Sequence, residues 1–231
     1  MNLDKRLEAV AKFVPKDARL GDIGTDHAYL PAILLKENKI KFAIATDVAE
    51  KPCLAAKKTL IMYGVKKNAE IRLGDGLQVL QKGECDCLVF AGMGGTTIME
   101  ILQKGNDVAR SASRLIFQPM QAAYRLREYL CQNNFSIIFE DLVEDGKYLY
   151  EIIVATPQKC KVYNKSEYII GPLLLQEKHS LLLKQFAKQK NIYQRMIDGM
   201  EKSLEMKNSE KYKNCKKILK NLEELENDYC K

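Results

Sequence analysis

The chain has 231 residues, enough for one full domain and a smaller one, and its 46% hydrophobic and 29% charged content supports a core beneath a charged surface. No run approaches the roughly 18 apolar residues of a membrane span, and Met1-Asn2-Leu3-Asp4-Lys5-Arg6 lacks the apolar stretch of a signal peptide. Neither a membrane span nor a signal peptide is therefore expected, and the cysteine usage is read as that of a cytoplasmic protein. Seven cysteines and two histidines follow no metal-ligand spacing, which predicts reduced thiols and no metal; the net charge of +7 suits a polyanionic partner.

In chain order, Leu3, Leu7, Val10, Ala11 and Val14 recur at helical spacing, so a helix opens the chain and stops at Pro15. A strand from Arg19 to Ile23 follows, then a turn bearing Gly24 and a helix from about Pro31 to Glu37. A second strand ends at Asp47. The next helix, about Ala49 to Tyr63, carries Pro52 in its first turn and ends at Gly64. Strands are predicted at Ala69 to Leu73, Cys85 to Ala91 and Arg114 to Phe117, the last stopped by Gln118-Pro119. Helices are predicted at about Thr96 to Gln103 and Ala122 to Asn133. Then Phe135 to Glu140 and Tyr148 to Ala155, joined by Glu144-Asp145-Gly146-Lys147, read as a hairpin. Five βα units closed by an antiparallel hairpin separate a methyltransferase-type sheet from a six-strand dehydrogenase sheet.

Beyond Ser166 the pattern is purely helical. Pro172 suits the first turn of a long helix whose stripe is Leu182, Phe186, Tyr193, Ile197, Met200 and Leu204. After a break at Lys207-Asn208-Ser209, Tyr212, Cys215, Leu219, Leu222 and Leu225 make a second, heptad-like stripe. Two such helices predict a coiled-coil hairpin. Between Lys178 and Lys220 there are 12 basic against 4 acidic residues, a net +8 that fits nucleic acid or, equally, a solvated lysine face.

Ligands of open parallel sheets bind outside the carboxyl ends of the strands. Asp22, Asp47 and Asp75 all fall there. Asp47, 23 positions beyond Gly24, is spaced to hold ribose hydroxyls. Asp75 suits an adenine amino group, with the N–H groups of Gly76 and Leu77 nearby, and Asp22 suits an ammonium. Asp26 sits where a dinucleotide site needs room for pyrophosphate. A carboxylate there repels phosphate and favours the cationic, phosphate-free S-adenosylmethionine. Gly92-Met93-Gly94-Gly95 lacks the polar residue, prolines and aromatic of enzymes that methylate exocyclic amino groups, which is compatible with a ring nitrogen as target. His27 and Tyr29 belong at the mouth of the cleft. Each Asp alone serves equally as a turn or cap residue.

Taken together, Asp22-Ile23-Gly24-Thr25-Asp26-His27-Ala28-Tyr29-Leu30-Pro31, Gly74-Asp75-Gly76-Leu77, Ala91-Gly92-Met93-Gly94-Gly95 and Gln118-Pro119 resemble the bacterial tRNA (adenine(22)-N(1))-methyltransferase family. The resemblance implies a class I methyltransferase fold (α/β, Rossmann-like), with S-adenosylmethionine as donor and tRNA as acceptor. It implies cofactor contacts from Asp22, Gly24, Thr25, Asp26, Asp47, Val48, Asp75, Gly76, Leu77 and Gly92. The base pocket it implies is formed by Asp26, His27, Tyr29, Met93, Gly94 and Gly95.

The expected organisation is a methyltransferase domain over 1–165 and a tRNA-contacting helical hairpin over 166–231, acting as a monomer, with a homodimer left open. The expected reaction is methylation of adenine N1. Asp26 stabilises the positive charge that develops on the ring and Tyr29 positions the base. The competing roles for Asp26 are a general base and a helix cap. The competing functions are a small-molecule methyltransferase that dimerises through its hairpin and an inactive RNA-binding module.

Overall fold

A computed structural model describes residues 3–230; residues 1, 2 and 231 of the two expected domains lie outside it. The chain forms two compact units that divide between Val162 and Tyr163.

In the first unit the elements run α1 (Lys5–Phe13), β1 (Ala18–Ile23), α2 (Tyr29–Lys36), β2 (Ile40–Asp47), α3 (Glu50–Met62), β3 (Ala69–Leu73), β4 (Cys87–Met93) and α4 (Gly95–Lys104). They continue through α5 (Asn106–Ser111), β5 (Arg114–Pro119), α6 (Ala123–Gln132), β6 (Ser136–Asp145) and β7 (Tyr148–Thr156). The sheet order is β3-β2-β1-β4-β5-β7-β6, with β7 antiparallel to both neighbours. This is the class I methyltransferase sheet. The order reverses between β1 and β4, so a crevice opens at their carboxyl ends.

α1 starts where the Asp4 side chain accepts the Leu7 N–H, and it lays Ala9 and Val10 on the sheet. One core gathers Ala9, Val10 and Val14 of α1, Leu30 and Leu34 of α2, and Ala56 and Leu60 of α3 against Leu20, Ala43, Val89, Ile116, Ile152 and Val154. Phe90 and Phe117 stack 5.1 Å apart, both fully buried.

Several expectations are corrected. β5 runs on through Gln118 and Pro119, because Pro119 pairs with Met93 at the strand end, where no ladder N–H is needed. β6 extends to Asp145, leaving only Gly146-Lys147 as the turn. α5 escaped notice because six residues carry too little periodicity. Cys131 and Cys160, unremarked in the sequence, come together as a close pair. The fold brings their Cα atoms to 4.8 Å, which a separation of 29 residues does not announce.

Arg127 of α6 is fully buried and ion-paired to Glu140 at 2.5 Å and Glu151 at 2.9 Å. Burial pulls its pKa down, but the two carboxylates outweigh that and drive it up. Deleting one partner strands the others in the core, a loss of about 3–5 kcal/mol. This triad staples α6 to the β6–β7 hairpin.

The second unit contains α7 (Lys165–Ile170), α8 (Pro172–Gln176), α9 (Leu182–Met200), α10 (Leu204–Lys207) and α11 (Glu210–Tyr229). Asn164 and Glu167 form a capping box that starts α7. Pro172 opens only the five-residue α8, not a long helix. α9 and α11 pack together. Lys190 pairs with Glu226, and Tyr212 donates to Glu201 at 2.7 Å, so the partners run in opposite directions along the two helices. The buried seam is Leu182, Phe186, Tyr193, Ile197 and Met200 against Tyr212, Cys215, Ile218 and Leu222. Leu204, expected in the stripe, is 83% exposed, because α9 ends at Met200. Ile218, not Leu219, takes the interior position.

Candidate active site

Strand alternation decides which side chains meet. Leu20 and Asp22, Ala45 and Asp47, Ile116 and Gln118, and Ile152 and Tyr150 share faces in pairs. The first of each lies in that core, so the second continues the same face towards the crevice. Asp22, Asp47, Gln118 and Tyr150 therefore project on the sheet face covered by α1, α2 and α3.

The loop from Gly24 to Ala28 carries three left-handed residues, Gly24 (φ 70°), Asp26 (φ 51°) and Ala28 (φ 53°). Non-glycine residues held in this region are uncommon and concentrate at functional sites. Gly24 and Thr25 donate to the Thr46 carbonyl at 2.9 and 3.0 Å, which ties the loop across to β2. A Cβ on Gly24 would come within 3.2 Å of the Met93 sulfur, so glycine is what lets the loop pass β4. Ala28 occupies the N-cap of α2, and no side chain caps that helix. The helix-cap role for Asp26 is thereby overturned.

Asp22 is 5% exposed, and its carboxylate accepts the Thr25 hydroxyl. Burial pushes its carboxyl up to about 6; the Thr25 hydrogen bond opposes the rise and the neighbouring Asp47 charge adds to it. Asp47 accepts the Ala49 N–H at 3.0 Å on Oδ1 and the Asp26 N–H at 3.4 Å on Oδ2. Asp75 pairs with Lys104 of α4 at 2.7 Å.

Two cavities meet at Gly24 and Met93. The larger, about 550 Å³, is lined by Asp22, Thr25, Asp26, His27, Tyr29 and Gly92, together with Arg6, Met120 and Tyr150. The smaller, about 150 Å³, is lined by Asp47, Val48, Asp75 and Gly76, with Thr97, Glu100, Ile101 and Lys104 of α4. His27 and Tyr29 stack with ring centroids 5.3 Å apart. Asp26 is 72% exposed, with its Oδ1 3.6 Å from His27 Nε2.

Most residues singled out from the sequence thus fall on one of the two cavities. Three do not. The Leu77 side chain is buried in the core. Gly94 lies against the Gln121 side chain, and a Cβ on Gly95 would meet the Ala122 carbonyl oxygen at 2.6 Å. Gly95 serves close packing of α4 on the loop before α6, and Ala91, Gly92 and Met93 of that motif line the larger cavity.

Sequence reasoning missed Arg6, Gln118 as a site residue, and Tyr150. Arg6 Nη1 donates to Gln118 Oε1 at 2.6 Å, and the same oxygen accepts the Gly92 N–H at 3.1 Å. Only the inward alternation of Tyr150 with Ile152 was a usable signal. Among the described residues, no group of three or more His, Cys, Asp or Glu side chains is arranged to hold a metal, and no helix is long and apolar enough to cross a membrane.

Residues 3–153 match the family model described as "Methyltransferase domain". Over 194 residues, 82% of each chain, the protein is 36% identical to the tRNA (adenine(22)-N(1))-methyltransferase of Bacillus subtilis (strain 168). The structure of the B. subtilis m1A22 tRNA methyltransferase TrmK superposes with a TM-score of 0.85 at 32% identity, covering 100% of this chain and 99% of that one. The Streptococcus pneumoniae protein Sp1610, in complex with S-adenosyl-L-methionine, superposes with a TM-score of 0.82 at 32% identity, covering 97% and 99%.

Proposed function

The chain belongs to the tRNA (adenine(22)-N(1))-methyltransferase family, and from that premise we propose how its residues divide the work of methylating N1 of adenine 22 in tRNA. The observation that carries the assignment is the pair of cavities meeting at Gly24 and Met93. S-adenosylmethionine supplies an electrophilic methyl group when bound.

The polar groups fit that cofactor. Asp47 and Asp75 face the smaller cavity, suited to a ribose diol and an adenine amino group. Each Asp47 oxygen accepts one N–H and keeps a lone pair for a hydroxyl. The larger cavity holds one buried carboxylate, Asp22, and one guanidinium, Arg6, a complementary pair for the ammonium and carboxylate of an amino acid.

Adenine N1 carries an in-plane lone pair, so no base is needed before attack. That lone pair is engaged in duplex RNA, so the adenine must be unpaired or extruded. The remaining work is positioning. His27 and Tyr29 offer a stacked aromatic wall, and Gly92 and Met93 let the ring approach closely. Asp26 is solvated in the free enzyme. A base filling the cavity excludes water and strengthens the pull of Asp26 on charge developing in the ring.

The second unit is the tRNA arm in this reading, with its net +8 between Lys178 and Lys220 aimed at phosphates. In this reading the enzyme acts on tRNA in the cytoplasm, as a monomer or a homodimer. Incubation of labelled S-adenosylmethionine with bulk tRNA, followed by nucleoside analysis, tests the reading. Label in N1-methyladenosine is expected; label elsewhere, or none, overturns it.

A further inference from the structure

β7 runs against the rest of the sheet, so its first residues lie at the carboxyl ends of the parallel strands. Its pairing with β5 starts only at Ile153, whereas its pairing with β6 starts at Tyr148. Residues 148–151 therefore extend past the β5 ladder beside the crevice. Period-two alternation puts Tyr148, Tyr150, Ile152 and Val154 on one face. Ile152 and Val154 are buried in the core beneath α1, and Tyr150 lines the larger cavity. Tyr148 is 57% exposed, with its ring 6.0 Å from that of Tyr150. A cation backs each ring: Arg6 lies 5.9 Å from the Tyr150 centroid and Lys147 5.4 Å from that of Tyr148.

Tyr148 itself adds little to the stability of the sheet, since a half-exposed ring gives up little water. Exposed aromatics beside cations are what unpaired bases stack on. Glu144 is exposed, and Asp145 pairs across from Tyr148, so these two carboxylates offset the Lys147 charge and leave the hairpin tip without a net attraction for phosphate. Base faces, rather than the RNA backbone, suit this edge.

We propose that Tyr148 and Tyr150 form a stacking ladder from solvent into the cavity, with Tyr148 holding an unpaired tRNA base next to the target adenine. The inference rests on the tRNA-methylating reading above. It adds an RNA contact on the catalytic unit outside the pocket for the target adenine.

The test uses the full chain and a tRNA transcript bearing adenine 22, with Tyr148→Ala, Tyr148→Leu and Tyr148→Phe. Loss of stacking in the Ala and Leu variants should raise KM for tRNA about tenfold. Their kcat, melting temperature and S-adenosylmethionine affinity should stay near wild type, while the Phe variant should match wild type throughout. An unchanged KM in Tyr148→Ala, or a Leu variant as good as Phe, overturns the ladder while leaving the enzyme assignment intact. A wild-type protein that leaves the transcript unmethylated overturns the assignment and the ladder together.

Discussion

The guanidinium of Arg6 donates to Gln118 Oε1 at 2.6 Å, joining two residues 112 positions apart, and Gln118 itself is fully buried. Gln118 thereby positions the basic side chain that lines the larger cavity together with Asp22. Arg6→Ala should weaken S-adenosylmethionine binding about ten- to a hundredfold, since a charge-assisted hydrogen bond contributes roughly 1.5–3 kcal/mol. Gln118→Leu should weaken it too, and should also cost about 1–3 kcal/mol of stability by leaving the Gly92 N–H without its acceptor. Calorimetry and chemical denaturation separate the two effects. Unchanged affinity in a folded Arg6→Ala protein would remove Arg6 from the cofactor site.

Asp22 makes a pH prediction. Its carboxyl titrates at about 6 in the folded chain, against roughly 3.9 unfolded. The folded state therefore holds the proton more tightly. The stabilisation that Asp22 lends is complete below about pH 4 and lost as pH rises through about 6, on the order of 3 kcal/mol in all. Asp22→Asn should gain stability relative to wild type between pH 4 and 7. The ammonium of the cofactor needs the ionised form, so wild-type affinity should rise from pH 5 to 7.5 while that of the variant stays flat and weak. Denaturation and calorimetry across this range decide it.

For Asp26, electrostatic stabilisation predicts that Asp26→Asn lowers kcat while S-adenosylmethionine and tRNA affinities stay nearly intact. The residual rate should vary little with pH once N1 is unprotonated. Single-turnover rates of both proteins across pH provide the check. A wild-type rate in the variant would eliminate any chemical role, and restored activity at high pH would favour a general base.

The arm can be tested through its charge. Lys213 and Lys217 are exposed one turn apart on α11. Replacing both with Glu should weaken tRNA binding and flatten its salt dependence by about two units of slope, because two phosphate contacts no longer release counterions. Cofactor affinity should not change. An unaltered salt slope would place the RNA surface elsewhere.

The sheet was legible because its signals are local. Apolar runs of strand length, breaks at Gly64 and Gly92, and the hairpin after residue 135 fix the order of elements without long-range information. The acidic strand ends were legible for the same reason: Asp22 and Asp47 need only be counted from their strands to be placed at the crevice. The helical seam was less legible, since Leu219 and Ile218 are equally apolar and only packing against α9 selects the latter.

The amino-acid order by itself determined the fold class and the end of the sheet at which Asp22 and Asp47 gather, because hydrophobic period and turn chemistry act over a few residues. Tertiary structure alone decided the opposite wall of the site. Arg6 reaches Gln118 because α1 crosses the sheet, Tyr150 reaches the crevice because β7 is reversed, and Cys131 meets Cys160 because α6 packs beside the end of the hairpin. Contacts between residues tens to more than a hundred positions apart leave no periodic trace in the chain; they exist only once the sheet closes the distance.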